Sequence, residues 1–338
     1  MRNQLSDISK SFRADIAMDL GTANTLVIKS GTGVIFNEAT VCCFTENGAK
    51  NRLVAAGAEA QDMIGRVPRG LRIAKPLRGG VLSDMDAGRE LIRYAIRHSR
   101  SGWMARQPNA LIGVPADATQ AEQRALRSAA QDAGIAKVEL IAEPLLAAIG
   151  AGLDIDAPRG RMLIDCGAGT TEVVVLSLGA ICLSKSTRIG GNTLDGALMD
   201  HLHLRHRFQI GQIAAEALKL KVTDWLDRGQ MDETVGIRGH NLATGLPQTI
   251  ELPCDELLIV YERHLQAIVD TVRSALHETP PELSRDILED GVMLTGGASM
   301  VNLLSQRITD ATGLSVSCPP EPLKTVAQGL ETVLQQIN

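Results

Sequence analysis

Apolar positions in the first 45 residues fall in short runs, ADIAMD, TLVIKS and GVIFNEATVCCF, separated by glycine, asparagine and threonine. Runs of this length, rich in β-branched residues and punctuated by turn formers, predict a meander of strands joined by short hairpins. The period then changes. Residues 85–100 (MDAGRELIRYAIRHSR) and 119–134 carry apolar side chains at helical spacing, in the second case Ala121, Ala125, Leu126 and Ala129. They predict two amphipathic helices, with ALIGVPA between them as a short apolar strand ended by a proline turn. AEPLLAAIGAG predicts a helix of small residues beginning near Pro144, and MLIDCGAGTTEVVVLSL a return to strands. A polar helical stretch follows from about Thr193 to Leu226, then a long helix over 255–278 and a buried strand, GVMLTGGAS, that runs into a glycine turn. Strands and helices in both halves predict α/β architecture.

Two segments share one plan. IAMDLGTANTLVI (16–28) and LIDCGAGTTEVVV (163–175) each run from an apolar strand through an aspartate, a small residue, a glycine and a threonine-containing turn into a second strand. Asp19 and Asp165 stand 146 positions apart, about one domain length. One such hairpin reads as an ordinary tight turn; two, one per half, predict a duplicated fold with a ligand between the halves. A glycine-rich tip lets backbone N–H groups converge on an anion without Cβ obstruction. Thr22, Asn24, Thr170 and Thr171 add side-chain donors. The aspartates repel phosphate and are suited instead to hold a hydrated Mg²⁺ that bridges phosphate oxygens. No GxxxxGK[ST] occurs, so this is not a P-loop protein, and the lack of GxGxxG disfavours a dinucleotide fold.

Three further features follow in order. Glu143 precedes Pro144 at a helix start, as a partner of the helix dipole or as a group that orients a water toward a terminal phosphate. Glu216 and Lys219 lie one helical turn apart, the spacing of a surface ion pair. Gly296 and Gly297 end a buried strand where a flat ring can press on bare backbone.

Composition narrows the classes. With 44% hydrophobic residues in 338, the chain can bury a sizeable core, and its length predicts two domains. No stretch of eighteen apolar residues is present, which excludes a spanning helix. The start, MRNQLSDISKSFR, lacks an apolar h-region, so a cytoplasmic location is expected. A net charge of −5 without basic runs, and aromatic content of 2%, argue against nucleic acid. The six cysteines form no CxxC; adjacent Cys42 and Cys43 are expected on opposite faces of a strand, and buried reduced thiols account for the set. His201, His203 and His206 suggest a metal, but 201 and 203 point about 160° apart on a helix and no Cys or acid is expected to complete a set, so a solvated face is expected. No Ser or Cys nucleophile has a recognisable His/Asp partner pattern.

Taken in order, DLGTANT, the GVP turn, AEPLLAAIGAG, DCGAGTTEV, RIGG, the AExxK helix, ETPPEL and LTGGAS resemble the bacterial actin family MreB, from about Ala14 to the C-terminus. The resemblance implies an actin-like, ribonuclease H-like duplicated fold in which two domains flank a nucleotide cleft. Domain I would span 14–143, with 318–338 packing back on it and a small subdomain at about 34–75. Domain II would span 144–317, with a small subdomain at about 187–251. It implies that Asp19, Gly21, Thr22, Ala23 and Asn24 form one phosphate loop and Asp165 with Gly167, Ala168, Gly169, Thr170 and Thr171 the other. Asp19 and Asp165 would hold Mg²⁺ through water, Glu143 would polarise the hydrolytic water, and Glu216, Lys219, Gly296 and Gly297 would line the adenosine pocket. The implied activity is slow, metal-assisted ATP hydrolysis coupled to filament assembly. Ala168 and Ala298 replace family glycines, a departure that matters if the backbone there needs positive φ. Asn192 and Gly79 replace family acids.

Residues 1–13 precede the first family strand. Met1, Leu5, Ile8 and Phe12 fall within a sector of about 60° on a helical wheel, while Arg2, Lys10, Arg13 and Asp7 give this segment a charge of +2. This is the pattern of an interfacial helix, with a disordered tail as the equal alternative. The resemblance favours the helix, because many family members carry one, and Trp103 and Met104 sit in a loop that dips into lipid in relatives. It further implies self-assembly on the inner face of the cytoplasmic membrane, with cell-shape proteins such as RodZ and MreC as partners. Competing classes are a soluble kinase of the same superfamily, an ATP-driven chaperone, which would need a substrate domain beyond Asn338, and a non-hydrolysing nucleotide-binding scaffold.

Overall fold

The computed structural model describes residues 12–46, 51–99, 106–230 and 232–338. β1 (Ile16–Leu20), β2 (Asn24–Lys29) and β3 (Gly33–Ala39) form an antiparallel meander. The chain then leaves that sheet, and β4 (Cys42–Thr45), β5 (Leu53–Ala56), the short α1 (Ala58–Asp62) and β6 (Leu71–Ala74) build a separate three-stranded sheet. β3 thus belongs to the large sheet rather than to a small subdomain starting at 34. Cys42 and Cys43 on β4 are both fully buried, in different apolar clusters on its two faces. Cys182 and Cys318, in contrast to the expectation for the whole set, are exposed. β7 (Leu77–Arg78) and β8 (Val81–Leu82) make a minimal hairpin whose tip, Gly79-Gly80, takes φ of 54° and 75°, as a two-residue turn of the right twist requires. α2 (Met85–Ser99), β9 (Asn109–Val114), α3 (Gln120–Ala133) and β10 (Lys137–Ala142) complete the first half. α3 is closed at its start by a Thr119/Glu122 capping box and at its end by left-handed Gly134.

α4 (Glu143–Gly150) carries the chain into the second half, where β11 (Arg161–Cys166), β12 (Thr171–Ser177) and β13 (Ala180–Thr187) repeat the meander. α5 (Gly191–His206), β14 (Phe208–Gln209), α6 (Gln212–Asp227), β15 (Thr234–Asn241) and β16 (Leu246–Pro253) follow. The predicted continuous helical stretch is therefore two helices, broken where Arg207 takes a left-handed φ of 49°. The β15–β16 hairpin escaped the sequence reading because β16 is exposed along most of its length and shows no apolar alternation. α7 (Cys254–Glu278), α8 (Pro281–Asp290), β17 (Val292–Thr295), α9 (Asn302–Thr312), β18 (Val316–Ser317) and α10 (Thr325–Ile337) complete the chain.

The two large sheets have one topology. The first runs β10-β9-β1-β2-β3, and the second, read the same way, β18-β17-β11-β12-β13. Each is buried on both faces, which is why their strands read as near-continuous apolar runs. Ile16, Met18 and Ile112 pack against α2 and α3, and Met162, Ile164 and Leu294 against α7 and α9. The inward-facing Ala17, Leu111, Leu163 and Val174 share one central cluster with α4 and α10.

Those two helices, the crossings between halves, meet almost backbone to backbone. A Cβ on Gly150 would stand 1.8 Å from the Thr325 carbonyl oxygen, and one on Gly329 1.9 Å from that of Leu146. Phe12 belongs to this same cluster at 7% exposure, so its side chain is committed to the core and does not face a bilayer. Leu5, Ile8, Trp103 and Met104 lie outside the described residues. No helix among the described residues is long and apolar enough to cross a membrane. Gly329→Ala is expected to lower stability by about 1–3 kcal/mol through overpacking, read as an earlier urea midpoint. Gly196→Ala on α5, where a Cβ meets nothing within 4 Å, should instead be neutral or gain up to about 1 kcal/mol of helix propensity.

Candidate functional site

The repeated topology sets the hairpin β1–β2 opposite β11–β12, tips facing. They touch: a Cβ on Gly169 would come within 2.5 Å of Thr22 Oγ1. The Gly80 N–H donates to Thr22 Oγ1 at 3.2 Å, and a Cβ on Gly80 would meet Pro115 at 2.7 Å and Thr170 at 3.6 Å. Thr22, Gly80, Pro115, Gly169 and Thr170 thus close one edge of a cleft between the halves. Each tip is braced from behind. Thr40 Oγ1 donates to the Gly21 carbonyl at 2.7 Å, and Gly167 N–H closes its own turn on the Thr170 carbonyl at 2.8 Å. Ala23 and Asn24 stand exposed on the first tip. Thr171 departs from the expected role: it is fully buried and its hydroxyl donates to the Ile189 carbonyl at 2.7 Å, so it holds the hairpin rather than facing the cleft.

Below the tips four carboxyl groups share one neighbourhood. Asp19 and Asp165 occupy equivalent strand positions, Glu143 opens α4, and Glu172 lies directly across from Asp165 on β12. Burial and then the charge of Asp165 push Asp19 up to about 7. Burial raises Asp165 as well, against the Thr295 hydroxyl that donates to its Oδ1 at 2.9 Å. Glu143 is held well above its usual value by burial and then by Asp19, Glu172 and Asp165. Glu172, only 2% exposed, rises to about 8 through burial, although the Ala116 N–H donates to it at 2.8 Å. The charges acting on Asp19 and Glu143 are all carboxylates. Like charges this close cannot all ionise unaided, and a hard divalent cation with oxygen ligands fits the donor set.

Sequence reasoning missed Glu172. The signal was present: where the first copy of the hairpin has Leu26 opposite Asp19, the second has a charged residue in an otherwise apolar strand. Through Ala116 it also ties β12 to the loop after β9, across the halves.

The far wall is formed by Gly296 and Gly297. Gly296 has φ of 80°, and a Cβ there would come within 2.3 Å of the Cys166 carbonyl oxygen and 2.9 Å of Asp165 Oδ1, so only glycine fits. Ala168 and Ala298 raise no such difficulty, because the only described non-glycine residues at positive φ are Leu178 and Arg207. The first N–H groups of α5 are taken by the second hairpin: Gly191 N–H donates to the Gly167 carbonyl and Asn192 N–H to that of Ala168, at 3.1 and 2.8 Å. The expected Glu216–Lys219 pair does not form; the Lys219 ammonium goes to Asp195 at 3.0 Å and to the Gly191 carbonyl at 3.3 Å. Glu216 is exposed and acts instead, with Asp195, on Lys75 from the first half, whose pKa burial lowers against their attraction.

The family model for MreB/Mbl protein matches residues 13–338. The chain belongs to the MreB/Mbl family. It is 38% identical to the cell shape-determining protein MreB of Escherichia coli strain K12 over 331 residues, 97% of this chain and 95% of that protein. It is 34% identical to the cell shape-determining protein Mbl of Bacillus subtilis over 327 residues, 97% of each. Among solved structures, MreB 5 of Spiroplasma citri bound to AMPPNP superposes with a TM-score of 0.87 at 31% identity, covering 95% of this chain and 96% of that one. A MamK double helical filament shares the fold at a TM-score of 0.74 and 22% identity, covering 95% and 98%. The MreB/Mbl fold is actin-like, and the duplicated sheets described above are its two halves.

The raised carboxyls make stability depend on pH in the metal- and nucleotide-free protein. Asp19 and Glu172 hold protons more tightly folded, near 7 and 8, than at their ordinary values of 3.8 and 4.5. Their stabilising contribution is therefore complete below about pH 4 and lost as pH rises through 7–8. Urea midpoints should fall between pH 5 and 8.5, Glu172→Gln should flatten the fall, and added Mg²⁺ should reverse it at the high end.

Proposed function

We propose that this chain binds Mg-ATP in the cleft and assembles into membrane-associated filaments that organise cell shape, hydrolysing the nucleotide slowly. The observation that carries the reading is the pair Asp19/Asp165 at matching positions of two facing hairpins, within a crowd of buried carboxyls whose mutual repulsion a cation would relieve. The AMPPNP- and ADP-bound structures of the 31%-identical MreB 5 of Spiroplasma citri support a nucleotide. The relatives' designation as cell shape-determining proteins supports the cellular role.

Asp19 and Asp165 would hold Mg²⁺, which neutralises phosphate charge when bound. The backbone N–H groups of Ala168, Gly169 and Thr170, and the Thr22 hydroxyl, would offer donors to phosphate oxygens at the touching tips, the Gly167 N–H being taken by the Thr170 carbonyl. Glu143 faces the same space from the start of α4; as a carboxylate it orients the attacking water and accepts its proton. Gly113 passes close beside it, and a Cβ there would stand 3.1 Å from Glu143 Cγ, so a small residue leaves that carboxyl its place. Bare backbone at Gly296-Gly297 provides a surface for the nucleoside, with Glu216 and Lys219 bordering it. Neither Ala168 nor Ala298 takes a positive φ, which supports retained phosphate binding at the second hairpin.

For membrane attachment the reading rests on Leu5, Ile8, Trp103 and Met104 without Phe12. Many weak anchors on one filament bind firmly by avidity. RodZ- and MreC-like membrane proteins are the proposed partners, at the inner face of the cytoplasmic membrane.

Calorimetry should show Mg-ATP binding weakened more than about tenfold by Asp19→Asn or Asp165→Asn, since each removes one of few carboxylates available to Mg²⁺. Glu143→Gln should keep binding but slow phosphate release by about 100-fold or more. Wild-type protein that binds no Mg-ATP would overturn the reading, and electron microscopy on anionic lipid with Mg-ATP should show filaments. Leu5→Asp with Trp103→Asp should abolish liposome co-sedimentation and spare nucleotide binding, whereas Phe12→Asp should act by unfolding the core.

A further inference from the structure

The histidines of α5 do not line a solvated face. α5 closes with a wide turn in which the Arg207 N–H bonds to the Leu202 carbonyl, five residues back, before Arg207 turns left-handed and ends the helix. Such a π-type turn carries positions five apart toward one side, where regular α-helical spacing would separate His201 and His206 by about 140°. Both rings therefore reach the same acceptor. His201 Nε2 stands 2.9 Å and His206 Nε2 2.6 Å from a single oxygen, Oε1 of Glu256, in the first turn of α7. The three side chains are partly buried, at 19%, 26% and 22% exposure. Among the described residues they are the one group of three or more His, Cys, Asp or Glu whose ligand atoms all lie within 4.8 Å of one another. The acid that completes the set comes from 50 residues away in sequence, which is why local spacing did not show it.

We propose that His201, His206 and Glu256 form a binding site for a divalent transition-metal ion of the zinc class, which clips α5 to α7. Two imidazoles and one carboxylate are the ligand chemistry such ions take, with a fourth position left to water. The geometry is close to what is required. Bonds of 2.0–2.1 Å in a tetrahedron space ligand atoms by about 3.3 Å, so the two histidine–glutamate separations need open by only about half an ångström. The ion replaces the protons through which the imidazoles now share Oε1. The clip has a consequence for the cleft, because the opposite end of α5 binds the carbonyls of Gly167 and Ala168 in the second hairpin. The inference stands on the triad alone and is independent of nucleotide binding.

The test uses the full chain carrying Cys182→Ser and Cys318→Ser, since those two exposed thiols would otherwise compete. Co²⁺ is titrated as the spectroscopic probe and then displaced by Zn²⁺. The expected result is one equivalent of Co²⁺ with the visible bands of a low-coordinate nitrogen/oxygen site. Affinity should fall by more than the 10–100-fold typical of outer-shell changes in Glu256→Gln and in His201→Ala/His206→Ala. Glu256→Gln keeps an acceptor for both rings, so a mere hydrogen-bonded clamp survives it. If the histidine variant fails to fold, a Zn²⁺-dependent rise in the unfolding midpoint of the parent that is absent in Glu256→Gln decides in favour. Binding that is absent in the parent, or retained within threefold in the variants, overturns the site.

Discussion

The near contact of two helix backbones governs how this molecule is built. α4 and α10 are the two places where the chain passes between halves, and Gly150 and Gly329 let them cross with carbonyl oxygens where side chains would otherwise be. That crossing sits in an apolar cluster to which both large sheets contribute, together with Phe12 and Ala14 from the start of the described chain. The distance and angle between the halves therefore follow from packing at the base. The cleft above is what remains open when two copies of one sheet are pinned at one end.

Within the cleft, duplication places Asp19 and Asp165 at equivalent positions, so their charges necessarily face one another. The second copy adds Glu172 where the first has Leu26, and α4 adds Glu143 at the point where the chain leaves the first half. Burial raises all four, and among the described residues only the donors at Asp165 and Glu172 offset it. The fold thus concentrates like charge on the cleft floor. Under the proposed function a cation would relieve that repulsion, and phosphate would follow the cation to the donors at the touching tips.

The far wall and the second small subdomain show the same economy with different chemistry. Lys219 is spent on Asp195 and the Gly191 carbonyl, which fastens α6 to the start of α5. Lys75 reaches from the first half toward Glu216 and Asp195, so opposite charges face across the cleft mouth while like charges crowd its floor. At the other end of α5, one wide turn converts two histidines into a convergent pair. A single helix thereby touches the second hairpin at its start and a carboxylate–imidazole cluster at its finish.

Much of this was written locally in the chain. Alternating and continuous apolar runs marked the two meanders, helical spacing marked α2, α3, α4 and α7, and the repeated aspartate hairpin marked the duplication and its ligand side, because each depends on residues within a dozen positions of one another. The sequence also supplied the family resemblance that the comparisons then showed. What it left undecided depends on contacts between distant segments. The commitment of Phe12 to the core, the burial of Thr171, the exchange of Glu216 for Asp195 as the partner of Lys219, and the meeting of His201 and His206 with Glu256 are of this kind. So is the reading of Ala168 and Ala298, whose cost turned on a backbone angle that no residue type reveals. Local pattern fixes which elements form and which faces they bury; which polar groups then find one another is set only when the elements pack, because that pairing is a property of distances across the fold.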